Sequence, residues 1–192
     1  MPIQIGQSPD HGFDQPLGLL SDCHRRIEHF LHVLVTVATE GAGGPLTASY
    51  RRALEGAIRY FAVAAPKHTA DEEVSLFPRL RESADSAAHD ALASLDSLEH
   101  DHDEAEGHHG AVDAIVRRWV ANDHLSQSDF DELRERLGRL EALYRRHIEI
   151  EDHEVFPAAA RVLDHAQLSQ IGDEMAARRD VRVGPDGLHL SS

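Results

Sequence analysis

His68 and Glu72 stand four residues apart, as do His147 and Glu151, and on a helix that spacing turns an imidazole and a carboxylate toward one point. The pairs belong to two related segments, HTADEEVSLFP (68–78) and HIEIEDHEVFP (147–157), matched at an offset of 147 − 68 = 79. The chain therefore carries a degenerate duplication. Carried back along each half, the same offset sets His24 against position 103, and His102 stands beside it with 102 − 24 = 78. His100 misses by two and shares a face with Asp96, Asp103 and Gly107, whereas His102 continues an apolar stripe.

Such a set has a definite chemistry. An ionised carboxylate in a core costs several kcal/mol unless a partner compensates it, and a divalent cation is such a partner. Two His-x-x-x-Glu pairs and two further histidines offer four nitrogens and two carboxylates, and a carboxylate can bridge two ions. Imidazole with carboxylate suits redox-active iron, or manganese, better than calcium; zinc is chemically possible. The single cysteine, Cys23, excludes an intramolecular disulfide, a Cys-x-x-Cys motif and an iron–sulfur cluster held by several thiolates.

Four long stretches must position these donors. Gly41–Pro45, Ser83–Ser86 and Asn122–Ser128 interrupt them. Each stretch carries a stripe at alternating steps of three and four. The first is Leu17, Leu20, His24, Ile27, Leu31, Leu34, Ala38, and the second is Leu54, Ile58, Phe61, Ala65, His68, Glu72, Leu76. The third is Leu95, Leu98, His102, Ala105, His109, Val112, Val116, Trp119, and the fourth is Phe130, Leu133, Leu137, Leu140, Tyr144, His147, Glu151, Val155. Short connections make neighbours antiparallel, so the expected fold is all-α, an up-down-up-down four-helix bundle with one or two short C-terminal helices from 164–179. Pro66 should kink the second helix. His68 and His147 each precede a helix-ending proline by ten residues, about 15 Å, and His24 follows Pro16 by eight, about 12 Å, so their heights agree within about a turn. Residues 1–13 and 181–192 read as a loose N-terminal segment and a flexible tail around one domain, 14–180.

Composition narrows the partners. A net charge of -15, from 34 acidic and 19 basic residues, repels nucleic acid and anionic membrane surfaces. No apolar run approaches a membrane span, and the N-terminus lacks the basic and apolar regions of a signal peptide, so a cytoplasmic location is expected. Fifteen histidines, concentrated in helical stretches, point the same way as the motif.

The order His, His-x-x-x-Glu, His, His-x-x-x-Glu, with Phe-Pro after each pair, resembles the bacterial hemerythrin-like (HHE cation-binding) family over roughly residues 16–160. The resemblance implies a hemerythrin-like bundle and two non-haem iron ions, with His24, His68, His102 and His147 as terminal ligands and Glu72 and Glu151 as bridges. The animal oxygen carriers have two histidines four apart on the third helix; here His102 is followed at that spacing by Glu106, which favours the six-ligand pattern over reversible oxygen carriage. The implied partner is a small ligand, O2, NO or peroxide, in sensing, storage or detoxification; the sequence names no protein partner. The alternatives are an oxidase- or peroxidase-like or iron-donating repair enzyme, a ferritin-like carboxylate protein, and a metal-free helical interaction module. The repair branch carries an N-terminal cysteine pair, absent here, and Glu-x-x-His occurs only on the third helix. Glu28 and Glu106 read as stripe-edge groups, Glu73 and Asp152 as solvent-facing. His109 reads as a packed polar residue or part of a ligand path, and Tyr144 as core or a donor near the metal. His29, His32, His100, His108 and His124 read as surface groups.

Overall fold

The computed structural model describes residues 10–41, 44–83, 85, 89–183 and 189–190. Helix α1 (Pro16–Glu40) begins on a proline, whose fixed φ suits a first turn. Helix α2 (Ala48–Val63) starts where the Thr47 hydroxyl accepts the Tyr50 N–H at 3.2 Å. The helix is interrupted at Ala64 and resumes as α3 (Ala65–Ala70), with Pro66 in its first turn, where a missing N–H costs nothing. A π-helical turn, π1 (Asp71–Leu76), leads into α4 (Phe77–Glu82). Helix α5 (His89–Asn122) is followed by α6 (Gln127–Ile150), whose N-terminus is capped by the Ser126 hydroxyl accepting from the Asp129 N–H. A second π turn, π2 (Glu151–Val155), leads into α7 (Phe156–Val162), and α8 (His165–Ala177) follows an Asp164/Gln167 capping box. Two two-residue strands, β1 (Arg182–Val183) and β2 (His189–Leu190), pair antiparallel.

Pro78 and Pro157 do not end their helices, contrary to the expectation from sequence. Proline has no N–H for the carbonyl four residues back, and the ladder widens instead of stopping. The Phe77 N–H reaches the Glu72 carbonyl and the Phe156 N–H reaches the Glu151 carbonyl, each five residues back. Each proline then occupies the first turn of the next helix. The Phe-Pro signature thus sets a π turn on each glutamate.

Packing runs round a ring: α1 against α2 and α6, α5 against α2 and α6. The core inside divides into two apolar clusters. One holds Ile27, Leu34, Phe61, Ala105, Trp119, Leu133 and Tyr144; the other holds Leu20, Leu76, Phe77, Leu98, Val155, Phe156 and Met175. Every long stretch crosses from one cluster to the other, and the crossing residues are polar. His24 lies between Leu20 and Ile27, His68 and Glu72 between Ala65 and Leu76, His102 between Leu98 and Ala105, and His147 and Glu151 between Tyr144 and Val155. The donors form a polar layer between two hydrophobic ends. Along the chain the direction of crossing alternates from one stretch to the next.

Some residues of both terminal segments make defined contacts. Residues 1–9 lie outside the described residues, but the His11 backbone N–H donates to Asp22 Oδ2 at 2.8 Å and its Nδ1 lies 3.1 Å from the same oxygen. Helix α8 crosses the Phe13 backbone so closely that a Cβ on Gly172 would sit 1.9 Å from the Phe13 carbonyl oxygen, so only glycine fits there. In the tail, residues 184–188 and 191–192 lie outside the described residues; β1 and β2 are paired. No described helix is long and apolar enough to cross a membrane.

Candidate metal centre

The structure brings together all six residues singled out by spacing. His24 comes from α1, His68 from α3, Glu72 from π1, His102 from α5, His147 from α6 and Glu151 from π2. Glu72 and Glu151 are fully buried, and none of the four imidazoles exposes more than 8% of its side chain. His24 Nε2 lies 3.7 Å from Glu72 Oε1 and 3.0 Å from Glu151 Oε2. His68 Nε2 lies 3.2 Å from Glu72 Oε1, His102 Nε2 3.4 Å from Glu72 Oε2, and His147 Nε2 3.1 Å from Glu151 Oε2.

These separations look like ion pairs, yet their directions are wrong for hydrogen bonding. All four oxygens of Glu72 and Glu151, with His24 Nε2 and His102 Nε2, are buried and have no hydrogen-bond partner. Lone pairs that converge on common points without bonding one another fit cations better than they fit a proton network. Two groups of donors, each with its atoms within 4.8 Å of one another, can hold a metal ion: His24, His68, Glu72, Glu151 and Glu72, His102, His147, Glu151. Both carboxylates belong to both groups, and two histidines belong to each.

The far side of each ring explains how the rings are held. Glu73 Oε1 lies 2.7 Å from His102 Nδ1, and Asp152 Oδ1 lies 3.1 Å from His24 Nδ1 while also accepting from the Ser21 hydroxyl at 2.8 Å. Asp101, itself paired with Arg146, has its other oxygen 3.5 Å from His147 Nδ1. A carboxylate only accepts, so the Glu73 and Asp152 contacts place a proton on Nδ1 of His102 and of His24 and leave Nε2 facing the centre, whereas His147 Nδ1 and the Asp101 oxygen near it form no hydrogen bond. Glu73 and Asp152 are therefore not the solvent-facing groups expected from sequence. A signal for them was present, since 152 − 73 = 79, the offset of the duplication. Asp101 obeys no such rule: at the 78-residue offset of His24 and His102 its mate is Cys23, and His68 Nδ1 has no hydrogen-bond partner. Phe156 stacks on His24 at 5.4 Å and Phe77 lies parallel to His102 at 6.5 Å, so the Phe-Pro phenylalanines also brace the rings.

Electrostatics separates the histidines. Burial works against charge on His24, but Asp152, Glu151 and Glu72 outweigh it and hold the ring well above the usual imidazole range. His102 is likewise raised against burial, chiefly by Glu72, to about 9. Burial pulls His68 down to about 4 despite Glu72 beside it. Glu72 is held below the usual carboxylate range because His68, His102 and His24 overcome its desolvation. In Glu151, burial and the Glu72 charge push upward, and His147 and His24 prevail downward.

Beside the donors lies a cavity of about 230 Å³, lined by His24, His68, His102 and His147, by apolar Ile27, Phe61, Ala65 and Ile148, and by His109 and Tyr144. His109 Nε2 is 2.9 Å from the Tyr144 hydroxyl, and its ring stacks on Phe61 at 4.1 Å. Burial lowers His109 to about 4 and raises the Tyr144 phenol, so both are neutral at ordinary pH. Asp103 and Glu106 also line the cavity, and both are exposed, as is Glu28. His108 is buried, not a surface group as its sequence position suggests, with Arg136 Nη1 3.3 Å from its Nδ1 and Glu104 3.5 Å from its Nε2. His32, His100 and His124 are exposed and His29 is half-buried.

A helical bundle with overlapping histidine–glutamate groups across its core defines a cation-binding class of protein. Residues 15–159 match the hemerythrin HHE cation binding domain, and the chain belongs to that family. It is also similar to a protein of Haemophilus influenzae described as "Uncharacterized protein", 26% identical over 170 residues that cover 88% of this chain and 93% of the relative.

Proposed function

We propose that this chain is a non-haem diiron protein, an up-down-up-down hemerythrin-type bundle that binds or reacts with a small neutral ligand such as O2, NO or H2O2 in sensing, storage or detoxification. His24, His68, His102, His147, Glu72 and Glu151 would hold the iron pair, the two carboxylates being the ones common to both donor groups. The alternating direction in which the four stretches cross between the apolar clusters supports the topology. The observation that carries the dinuclear reading is the sharing of both carboxylates by two donor groups, with every carboxylate oxygen buried and unbonded. Four imidazole nitrogens and two carboxylates suit iron, and manganese shares the donor preference.

When bound, an iron pair supplies redox-active Lewis-acid chemistry to a small ligand. The chain's own residues do the rest. Glu73 and Asp152 orient the rings of His102 and His24, the two apolar clusters limit water, and the cavity admits a ligand beside the four imidazoles. The acidic rim and the net charge of -15 disfavour anionic ligands. A second reading, a diiron enzyme turning over peroxide, is favoured by the neutral His109–Tyr144 pair in the cavity wall, which can hydrogen-bond a ligand and pass a proton.

Metal analysis of freshly purified protein, with its visible spectrum, tests the first reading: two irons per chain with ferric charge-transfer bands are expected, and colourless protein with stoichiometric zinc would overturn it. Stopped-flow mixing of the reduced protein with O2, NO and H2O2 then separates a stable adduct from repeated turnover.

A further inference from the structure

Helix α8 lies beyond the span that matches the family, yet it reaches the segment that carries Glu72. Asp71, the residue before Glu72, is fully buried, and both its oxygens are taken: Arg178 Nη1 donates to Oδ1 at 2.8 Å and Arg179 Nη2 to Oδ2 at 2.6 Å. Arg178 Nη2 also donates to the Ser75 hydroxyl at 2.6 Å, one turn further along π1. Arg79, just past Pro78, donates to the Ser75 carbonyl at 2.7 Å and forms a two-pronged pair with Glu174 of α8, at 2.7 and 3.2 Å. Ile171 and Met175 of the same helix are fully buried in the apolar cluster with Leu76 and Phe77.

We propose that Arg178 and Arg179, in the turn that ends α8, act as a clamp on π1 and are positioning residues for the Glu72 carboxylate; the inference rests on the diiron reading above. Three features of the contact carry it. A π turn has a poorer backbone ladder than an α-helix, so the direction of a side chain on it depends on what braces the turn from outside. Asp71 and Ser75 are four apart and both face α8, while Glu72 faces the centre, so holding the first pair fixes the rotation of the third. Forked guanidinium bonds to a buried carboxylate are directional as well as strong, which suits a brace better than a packing contact alone.

Among the described residues the clamp has no counterpart in the other half. At the 79-residue offset Asp71 corresponds to Ile150 and Ser75 to Glu154, an apolar and an exposed residue that cannot receive such bonds together. Glu151 lies instead next to Asp152, which is tied to Ser21 and His24 of α1. The duplicated motif is thus braced from two different helices. Among the described residues, the segment that ends α8 braces the Glu72 half.

The test compares release of ferrous iron to a chelator from full-length, iron-loaded protein carrying D71N, R178A, R178K or R179Q. Leu133→Ala, buried in the opposite cluster, serves as a control for general destabilisation. The expected result is release about tenfold faster or more in D71N and R178A, with a shifted ferric charge-transfer band, partial recovery in R178K and a smaller effect in R179Q, because Arg179 holds Asp71 without also holding Ser75. L133A should lower the unfolding midpoint yet release iron at the parent rate. Release and spectra equal to the parent in D71N, R178A and R179Q, with the parent holding its iron pair, would overturn the clamp and leave the diiron reading intact. A parent that binds no iron pair would overturn both. If D71N fails to fold, R178A and R179Q decide the matter alone.

Discussion

Replacing Glu73 separates the orienting shell from the ligands themselves. Its carboxylate is 2.7 Å from His102 Nδ1, the shortest of the three carboxylate contacts behind the rings, against 3.1 Å at His24 and 3.5 Å at His147. Glutamine at 73 keeps an oxygen that can accept from Nδ1 but loses the charge; leucine loses both. Groups of this kind are worth roughly 10- to 100-fold in metal affinity. Glu73→Gln should therefore weaken binding about tenfold and Glu73→Leu by close to 100-fold, or about 1.4 and 2.7 kcal/mol at 1.36 kcal/mol per factor of ten. Competition against a chelator of known affinity, followed by metal analysis, gives both values. Because Glu73 is a third exposed, the metal-free forms of the parent and both variants should unfold within about 0.5 kcal/mol of one another. Undiminished affinity in Glu73→Leu, or an equal loss of stability with and without metal, would refute the orienting role.

Stripping the metal should lower the thermal midpoint; at a free-ion concentration 100 times the dissociation constant the bound metal contributes about 2.7 kcal/mol, a shift that calorimetry resolves. His109, with a folded pKa of about 4 against 6.5 when free, should make the metal-free protein less stable as pH falls. The unfolded chain takes up a proton near 6.5 that the folded chain refuses until about 4, so stability present above pH 7 declines by about 2 kcal/mol between pH 7.5 and 5.0. His109→Gln should flatten that part of the curve in urea titrations, and parallel curves would show that the burial is not felt. Gly172→Ala forces a Cβ against the Phe13 carbonyl and should destabilise the α8 end by about 1–3 kcal/mol, seen as faster amide exchange in α8; unchanged exchange would contradict that close approach.

Spacing alone was enough to find the six donors and the stripes that carry them, because a helix converts steps of three and four into a face and a repeat converts one motif into two. The interruption beside Pro66, the end of α1 at Glu40, the break between Asn122 and Gln127 and an extra helix within 164–179 were legible for the same local reason: breakers and caps act over a few residues. What the helices do after Phe77 and Phe156 was not, since a proline can either end a helix or widen it into a π turn, and the packing of Leu76, Phe77, Val155 and Phe156 in one apolar cluster favours continuation. The roles of Glu73 and Asp152 depended on which ring faced them across 29 and 128 residues, a matter of how the stretches pack and not of any one stretch. Asp71 was invisible for a sharper reason. Its two arginine partners lie over a hundred residues away in the turn after α8, outside the repeat, so only the docking of that helix could show that a buried aspartate beside Glu72 has its charge answered from outside the bundle.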